Sequence, residues 1–354
     1  MTTKSIRASS RKDAHIDLAL NPETNSEGKN SFDRMSFRHC ALPELDIAAI
    51  DITTSFCNQR LSAPMMIGAM TGGPARAEAI NRALATVAQE KKIAFAVGSQ
   101  RAALENGQSA AYLRDLAPDI PIIGNLGGIQ LAQSTGLDLA KAAIDDLQAD
   151  AIAIHLNPLQ EAVQPEGESD WRGVRDAIAN LVRTDMAPVI VKEVGAGISV
   201  QVAKELFDCG VMAVDVAGFG GTNWARIEAA RRGYDTNLFI PFLDWGIPTL
   251  ECLLSIRGSF PDQHIIASGG VRHGLDAMRA FWLGAETISL AGPLLAQLLR
   301  HNKTPSPNNL SGLVDQLQQQ MALTLFLTGA PNLAAFRRKE ALIDNKLLFN
   351  TANA

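Results

Sequence analysis

Eight short apolar runs recur along the chain, at 63–70, 93–97, 120–124, 149–155, 189–194, 211–216, 264–268 and 286–291. Most are rich in Ile, Val, Ala or Met and do not alternate cleanly with polar residues. A strand buried on both faces reads this way, because neither face meets water. Stretches of helical period lie between many of them, at 76–92, 138–148, 171–183, 199–210 and 274–285. Each ends a few residues before the next run. Strand and helix in steady alternation predict an α/β fold with a parallel sheet.

Eight strands favour a closed (β/α)8 TIM barrel over an open, doubly wound sheet. The glycine turns tilt the choice further. SGGVR at 268–272 follows the seventh run and AGP at 291–293 the eighth, and the last two loops of a barrel often bind phosphate. A dinucleotide-binding sheet would open its first βα unit with G-x-G-x-x-G, which is missing here. The expected layout has three parts. Residues 1–60 form an N-terminal extension that covers or flanks the barrel. Residues 61–300 form the barrel, with an insertion at 225–262 carrying a helix at 249–260 opened by Pro248. Residues 301–354 form a tail whose helical segment, 310–329, packs either on the barrel or on a neighbouring subunit.

Composition narrows the class. At 47% hydrophobic residues and a formal charge of -5, a packed core is expected and disorder is not. The acidic balance gives no support for nucleic acid or an anionic membrane as partner. Cys40, Cys57, Cys209 and Cys252 are scattered with no CxxC pair, against structural zinc or a disulfide framework. The N-terminus lacks the apolar stretch of a signal peptide, and no run reaches the ~18 apolar residues of a membrane span. A soluble cytoplasmic protein is the expectation.

Candidate chemistry gathers where strands end. HLNPLQE at 155–161 places an imidazole, two amides and a carboxylate straight after an apolar run. Alternate strand residues share a direction, so His155 and Asn157 point the same way. Glu161 offers hard oxygen ligands suited to Mg²⁺ and a bound phosphate, or is a first-turn helix carboxylate. Gln160 can position or relay, but an amide has no useful pKa near neutrality. Lys192 stands inside the apolar run at 189–194, where an unpaired ammonium is costly. It either serves an electron-rich cofactor or pairs with a carboxylate on a neighbouring strand end. Ser99, Gln100 and Arg101 follow the second run and suit an anionic substrate. Asn125 follows the third. Thr71 with its glycines, and Gly220, Gly221 and Thr222, give two more flexible turns. Arg11 and Lys12 either clamp a diphosphate or lie on a solvated face. Glu228 either assists a relay or makes a helix-surface salt bridge.

Taken together, the early RK pair, MTGG, GSQR, HLNPLQE, VKEVG, GFGGTNW, SGGVR and AGP resemble the type 2 isopentenyl-diphosphate Δ-isomerases, a flavin-dependent family. The resemblance runs from Arg11 to Pro293. It implies an FMN-binding barrel, assembled as a homotetramer or homo-octamer, that interconverts isopentenyl and dimethylallyl diphosphate. It also implies reduced FMN, NADPH or NADH as reductant, and Mg²⁺. By resemblance Ala69, Met70, Thr71, Ser99, Asn125, Lys192 and Thr222 contact FMN, and Gly269, Gly270, Val271, Arg272, Ala291 and Gly292 hold its phosphate. Arg11, Lys12, Ser99, Gln100, Arg101, His155, Asn157 and Gln160 bind the substrate, and Glu161 takes the metal. Gln160, His155, Asn157 and Lys192 are the catalytic candidates. Family members often carry Ser where this chain has Ala217, which removes one hydroxyl from the flavin phosphate loop. The alternative is an FMN-dependent oxidoreductase of the 2-hydroxyacid oxidase kind, acting on a small anionic substrate. Those barrels share the phosphate turns but lack HLNPLQE.

Overall fold

Each of the eight apolar runs supplies one strand of a closed parallel barrel. The computed structural model describes residues 12–26, 30–70, 75–232, 238–300, 304–344 and 346–348. The barrel strands are β1 (Met65–Ile67), β2 (Ala94–Ala96), β3 (Ile122–Gly127), β4 (Ala151–Leu156), β5 (Val189–Glu193), β6 (Ala213–Asp215), β7 (His264–Ala267) and β8 (Thr287–Leu290). Pairing of Ile288 with Met65 and Ser289 with Met66 closes the ring between β8 and β1. That closure removes the open-sheet alternative.

The runs fail to alternate because both faces are buried. Inward positions are mostly small: Met66, Ala94, Ala96, Ile123, Ala151, Ala153, Ile190, Ala213 and Ile266 form one inner cluster. Outward neighbours such as Phe95, Ile152, Ile154, Val191, Val214 and Ile265 join a second cluster shared with the surrounding helices. An interior so rich in alanine leaves volume to fill. The hairpin Thr54–Phe56 and Gln59–Leu61 fills it, placing Phe56 and Leu61 in the inner cluster at the N-terminal end of the strands. Its turn residues Cys57 and Asn58 both take positive φ (47° and 59°), the tight primed turn whose twist suits a two-residue hairpin.

The tail helix, Pro307–Leu327, packs on the barrel's own helices Ala75–Lys91, Gly274–Trp282 and Gly292–Leu298. It buries Leu310, Val314, Leu317, Met321 and Leu325, a single stripe at helical spacing. Extension and tail also meet in a small antiparallel sheet, Met35–Phe37 with Ala341–Ile343 and Lys346–Leu348. Among the described residues no helix is long and apolar enough to cross a membrane.

Candidate active site

On five of the strands, following the inward row upward, the chemistry changes two residues after the last apolar side chain. Ile123 gives way to Asn125, Ala153 to His155, Ile190 to Lys192, Ala213 to Asp215 and Ile266 to Ser268. Alternation fixes this, since residues two apart on a strand share a face. The polar tier lines a cavity of about 650 Å³ at the C-terminal end of the strands, the end where barrel sites are built. Strand register sets His155 beside Lys192, and Lys192 beside Asp215.

Most of the expected site residues meet in this cavity. Ala69 and Met70 enter from β1, Ser99 and Arg101 from β2. Asn157, Gln160 and Glu161 enter from the turn after β4, where Pro158 at the first helical position starts the helix Pro158–Val163. Thr222 comes from the loop after β6, Gly269 to Arg272 from that after β7, and Ala291 and Gly292 from that after β8. Lys12 reaches the rim from a helix at 12–19, with His15 and Ile16 beside it. Arg11 and Thr71 lie outside the described residues.

Gln100 is a correction. It was expected to meet the substrate, but it is buried at 4% exposure and does not line the cavity. At Gln100 the chain already turns with helical φ and ψ into Arg101–Glu105. Side chains there fan out by helical steps, so Ser99 and Arg101 face the cavity and Gln100 faces away. Its amide accepts from the Asn125 N–H (2.9 Å) and donates to the Ala143 carbonyl (3.0 Å).

The polar contacts are specific. His155 Nδ1 lies 2.8 Å from Asn125 Oδ1. Burial, with the nearby Lys192 and Arg101 charges, pushes the imidazole down to about 3, so it is neutral at ordinary pH. The Asn157 amide donates to Gln160 Oε1 and Glu161 Oε1, each at 3.1 Å. The other Glu161 oxygen accepts from the Glu168 N–H at 2.8 Å. Behind Gln160 stands Glu228, on the helix Trp224–Arg231, accepting from Gln160 Nε2 at 3.2 Å. The expected helix salt bridge is made, to Arg231, but the Glu228 side chain is 0% exposed, so the pair is buried and not on the helix surface. His15 Nε2 lies 2.9 Å from Glu228 Oε1, and Arg231 pairs with the other oxygen. Burial raises this carboxyl, but His15, Arg231 and Gln160 together outweigh it and the net direction is down. His15 and Trp224 are in edge contact at 5.3 Å; from sequence, His15 either contributes beside the Arg11–Lys12 pair or sits at the surface, and Trp224 carried no assignment. The Glu228–Arg231 spacing looks like an ordinary surface pair, so no local signal marked Glu228 as buried.

Opposite lie the glycine turns. A Cβ on Gly269 would run into the Gly218 carbonyl oxygen, and one on Gly221 would sit 2.9 Å from Gly270 N. The loops after β6 and β7 therefore pack backbone to backbone, leaving a surface of peptide groups facing the cavity. Lys192 Nζ donates to the Glu193 carbonyl at 2.5 Å and makes no ion pair with a described carboxylate. Asp215, which accepts from Ser268 Oγ at 2.5 Å, is pushed up by burial. The Arg272 guanidinium is already engaged by Asp276 (Nε, 2.7 Å) and Asp33 (Nη2, 2.5 Å). Among the described residues no group of three or more His, Cys, Asp or Glu is placed to hold a metal.

Comparison with known proteins agrees with this geometry. Residues 139–343 match the family model described as FMN-dependent dehydrogenase. The chain is 48% identical over 336 residues to an isopentenyl-diphosphate delta-isomerase of Xanthobacter autotrophicus, covering 94% of this chain and 96% of that one. It is 45% identical over 339 residues to the protein of the same name from Stutzerimonas stutzeri, with 94% and 96% covered. Among solved structures, a lactate oxidase of Pediococcus acidilactici superposes with a TM-score of 0.66 at 17% identity, covering 95% of this chain and 94% of that one. A mandelate oxidase gives 0.65 at 16% identity, with 95% and 98% covered. At such identity the two oxidases share the fold.

Proposed function

Because the chain belongs to the type 2 isopentenyl-diphosphate Δ-isomerase family, among the FMN-dependent dehydrogenases, we propose a division of labour within its cavity. The protein is an FMN-dependent isomerase that interconverts isopentenyl and dimethylallyl diphosphate. The observation that carries the rest is one cavity with glycine backbone on one wall and Asn125, His155 and Lys192 on the other. Those residues fit FMN. The turns around Thr222, Gly269, Gly270, Ala291 and Gly292 offer peptide N–H groups to its phosphate. Lys192, which makes no ion pair with a described carboxylate, offers a cation to the electron-rich edge of the ring. Ala69, Met70, Ser99 and Asn125 bound the ring site, with Thr71 assigned by sequence.

The reaction moves a proton: one is added to the terminal alkene carbon, and one leaves the carbon two bonds away. Reduced FMN, when bound, supplies an electron-rich surface that stabilises positive charge developing on the alkene. The protein's task is to hold a small tail there and keep water out. Lys12 and Arg101, with Ser99, His155 and Asn157, grip the diphosphate, and Arg11 is assigned the same task by sequence. Remote binding energy then fixes the reacting end. Gln160 sits toward that end, backed by Glu228. Ile16, Leu20 and Met70 line the same cavity, and their role is to exclude water. Glu161 suits Mg²⁺ bound in the mode where one carboxylate, waters and substrate phosphates complete the shell. No preformed cage is needed for that mode. NADPH or NADH serves as reductant. A cytoplasmic homotetramer or homo-octamer completes the proposal.

The test is anaerobic turnover of isopentenyl diphosphate with FMN, Mg²⁺ and catalytic NADPH. Many turnovers per NADPH are expected. One NADPH consumed per product would instead make the chain a reductase.

A further inference from the structure

Gln100 lies between the strand end that carries the site and the helix Gly136–Leu147 behind it. Its two side-chain partners are a backbone N–H and a backbone carbonyl, whose polarity is fixed, so its amide has one orientation only. The Gln100 N–H also donates to the Asn125 carbonyl at 2.9 Å. Both backbone polar groups of Asn125 are thereby clamped by one residue. Gly124 makes room for this, since a Cβ there would sit 3.0 Å from Gln100 Oε1. Gly127, three residues further along the strand, leaves room for the ring, since a Cβ there would lie 3.1 Å from His155 Nε2. The held Asn125 presents its side-chain oxygen to His155 Nδ1 at 2.8 Å. An amide oxygen only accepts, so the proton belongs on Nδ1 and Nε2 keeps a lone pair.

We propose that Gln100 is a positioning residue for this reaction, holding His155 through Asn125 as one neutral tautomer that meets the bound substrate as a hydrogen-bond acceptor. This rests on the reading of His155 as a substrate-binding residue. It also refines that reading. A fully ionised diphosphate has no proton to give, so Nε2 serves a donor instead: water held by a cation, or a protonated phosphate oxygen. The bare oxygens fall to Arg101 and Lys12. Burial and the flanking Lys192 and Arg101 charges keep the ring from gaining a second proton.

The experiment is ¹⁵N NMR of histidine-labelled, FMN-loaded protein at pH 7, with His155 assigned among the six histidines by loss of its signals in His155→Gln. A single tautomer protonated at Nδ1 is expected in the parent chain. A mixture is expected in Gln100→Met, and a return toward the parent signal in Gln100→Glu, which keeps an acceptor for the Asn125 N–H. Kinetically, Gln100→Met should raise KM for isopentenyl diphosphate about tenfold while kcat changes less than about threefold. A proton on Nε2 in the parent chain overturns the proposal, and so does an unchanged tautomer in folded Gln100→Met. Should Gln100→Met fail to fold, the parent spectrum alone decides. The tautomer reads out without turnover, so its failure is separable from failure of the isomerase assignment.

Discussion

At one end of the barrel, Phe56 and Leu61 from a hairpin press into Met66, Ala94, Ala151 and Ile266. At the other end, the same strands present Asn125, His155 and Lys192 to a cavity of about 650 Å³. The strands do not change between the two ends; what changes is what fills the space between them. An alanine-rich interior cannot fill itself, so the chain supplies a plug from outside at the closed end. At the open end the unfilled space is the site. Stability and chemistry are thus set apart along one axis, as the barrel architecture allows.

The sharpest way to break this contrast is at the plug. Phe56→Ala should cost about 3–5 kcal/mol of stability, the usual range for a buried aromatic. It should leave KM unchanged in the protein that remains folded. Urea denaturation with parallel kinetics checks this, and a cost below about 1 kcal/mol would mean that the hairpin does not support the barrel. At the open end the signs reverse. Glu161→Gln should lower kcat/KM by about 10²-fold or more, the scale of losing one well-placed electrostatic contact. The melting temperature and FMN content should hold, and unchanged kinetics across a Mg²⁺ titration would remove the metal role. Lys192→Met should weaken FMN binding about tenfold, on the scale of one interaction with a charged group, as read by flavin fluorescence. Full retention with full turnover would free Lys192 of its assignment.

A further expected effect is a pH limb. His155 titrates at about 3 in the fold and at ~6.5 in an unfolded chain. Between those values the unfolded chain binds a proton that the folded chain refuses. The stability contribution is therefore full above ~6.5 and declines as pH falls toward 3. His155→Gln should flatten that limb in urea midpoints taken against pH. What remains belongs partly to His264 at the closed end, whose imidazole burial also pushes below its usual range.

The sequence alone determined the strands, their order and the places where they end. Eight runs buried on both faces had to become eight central strands, because each buries its neighbours and none tolerates water. The polar residues that close those runs, from Asn125 through His155 to Lys192, were legible because a two-residue period fixes which way a strand side chain points. Only the tertiary structure decided what lies between elements. It turned Gln100 away from the cavity, because the chain leaves the strand for a helix at that residue and the period changes. It buried Glu228 against Gln160 and His15, contacts between segments 68 and 213 positions from Glu228. It joined Met35–Phe37 to Ala341–Ile343 across the length of the chain. Local periodicity reports the face a residue presents within its own element, whereas partners distant in sequence are chosen by packing, which no local pattern encodes.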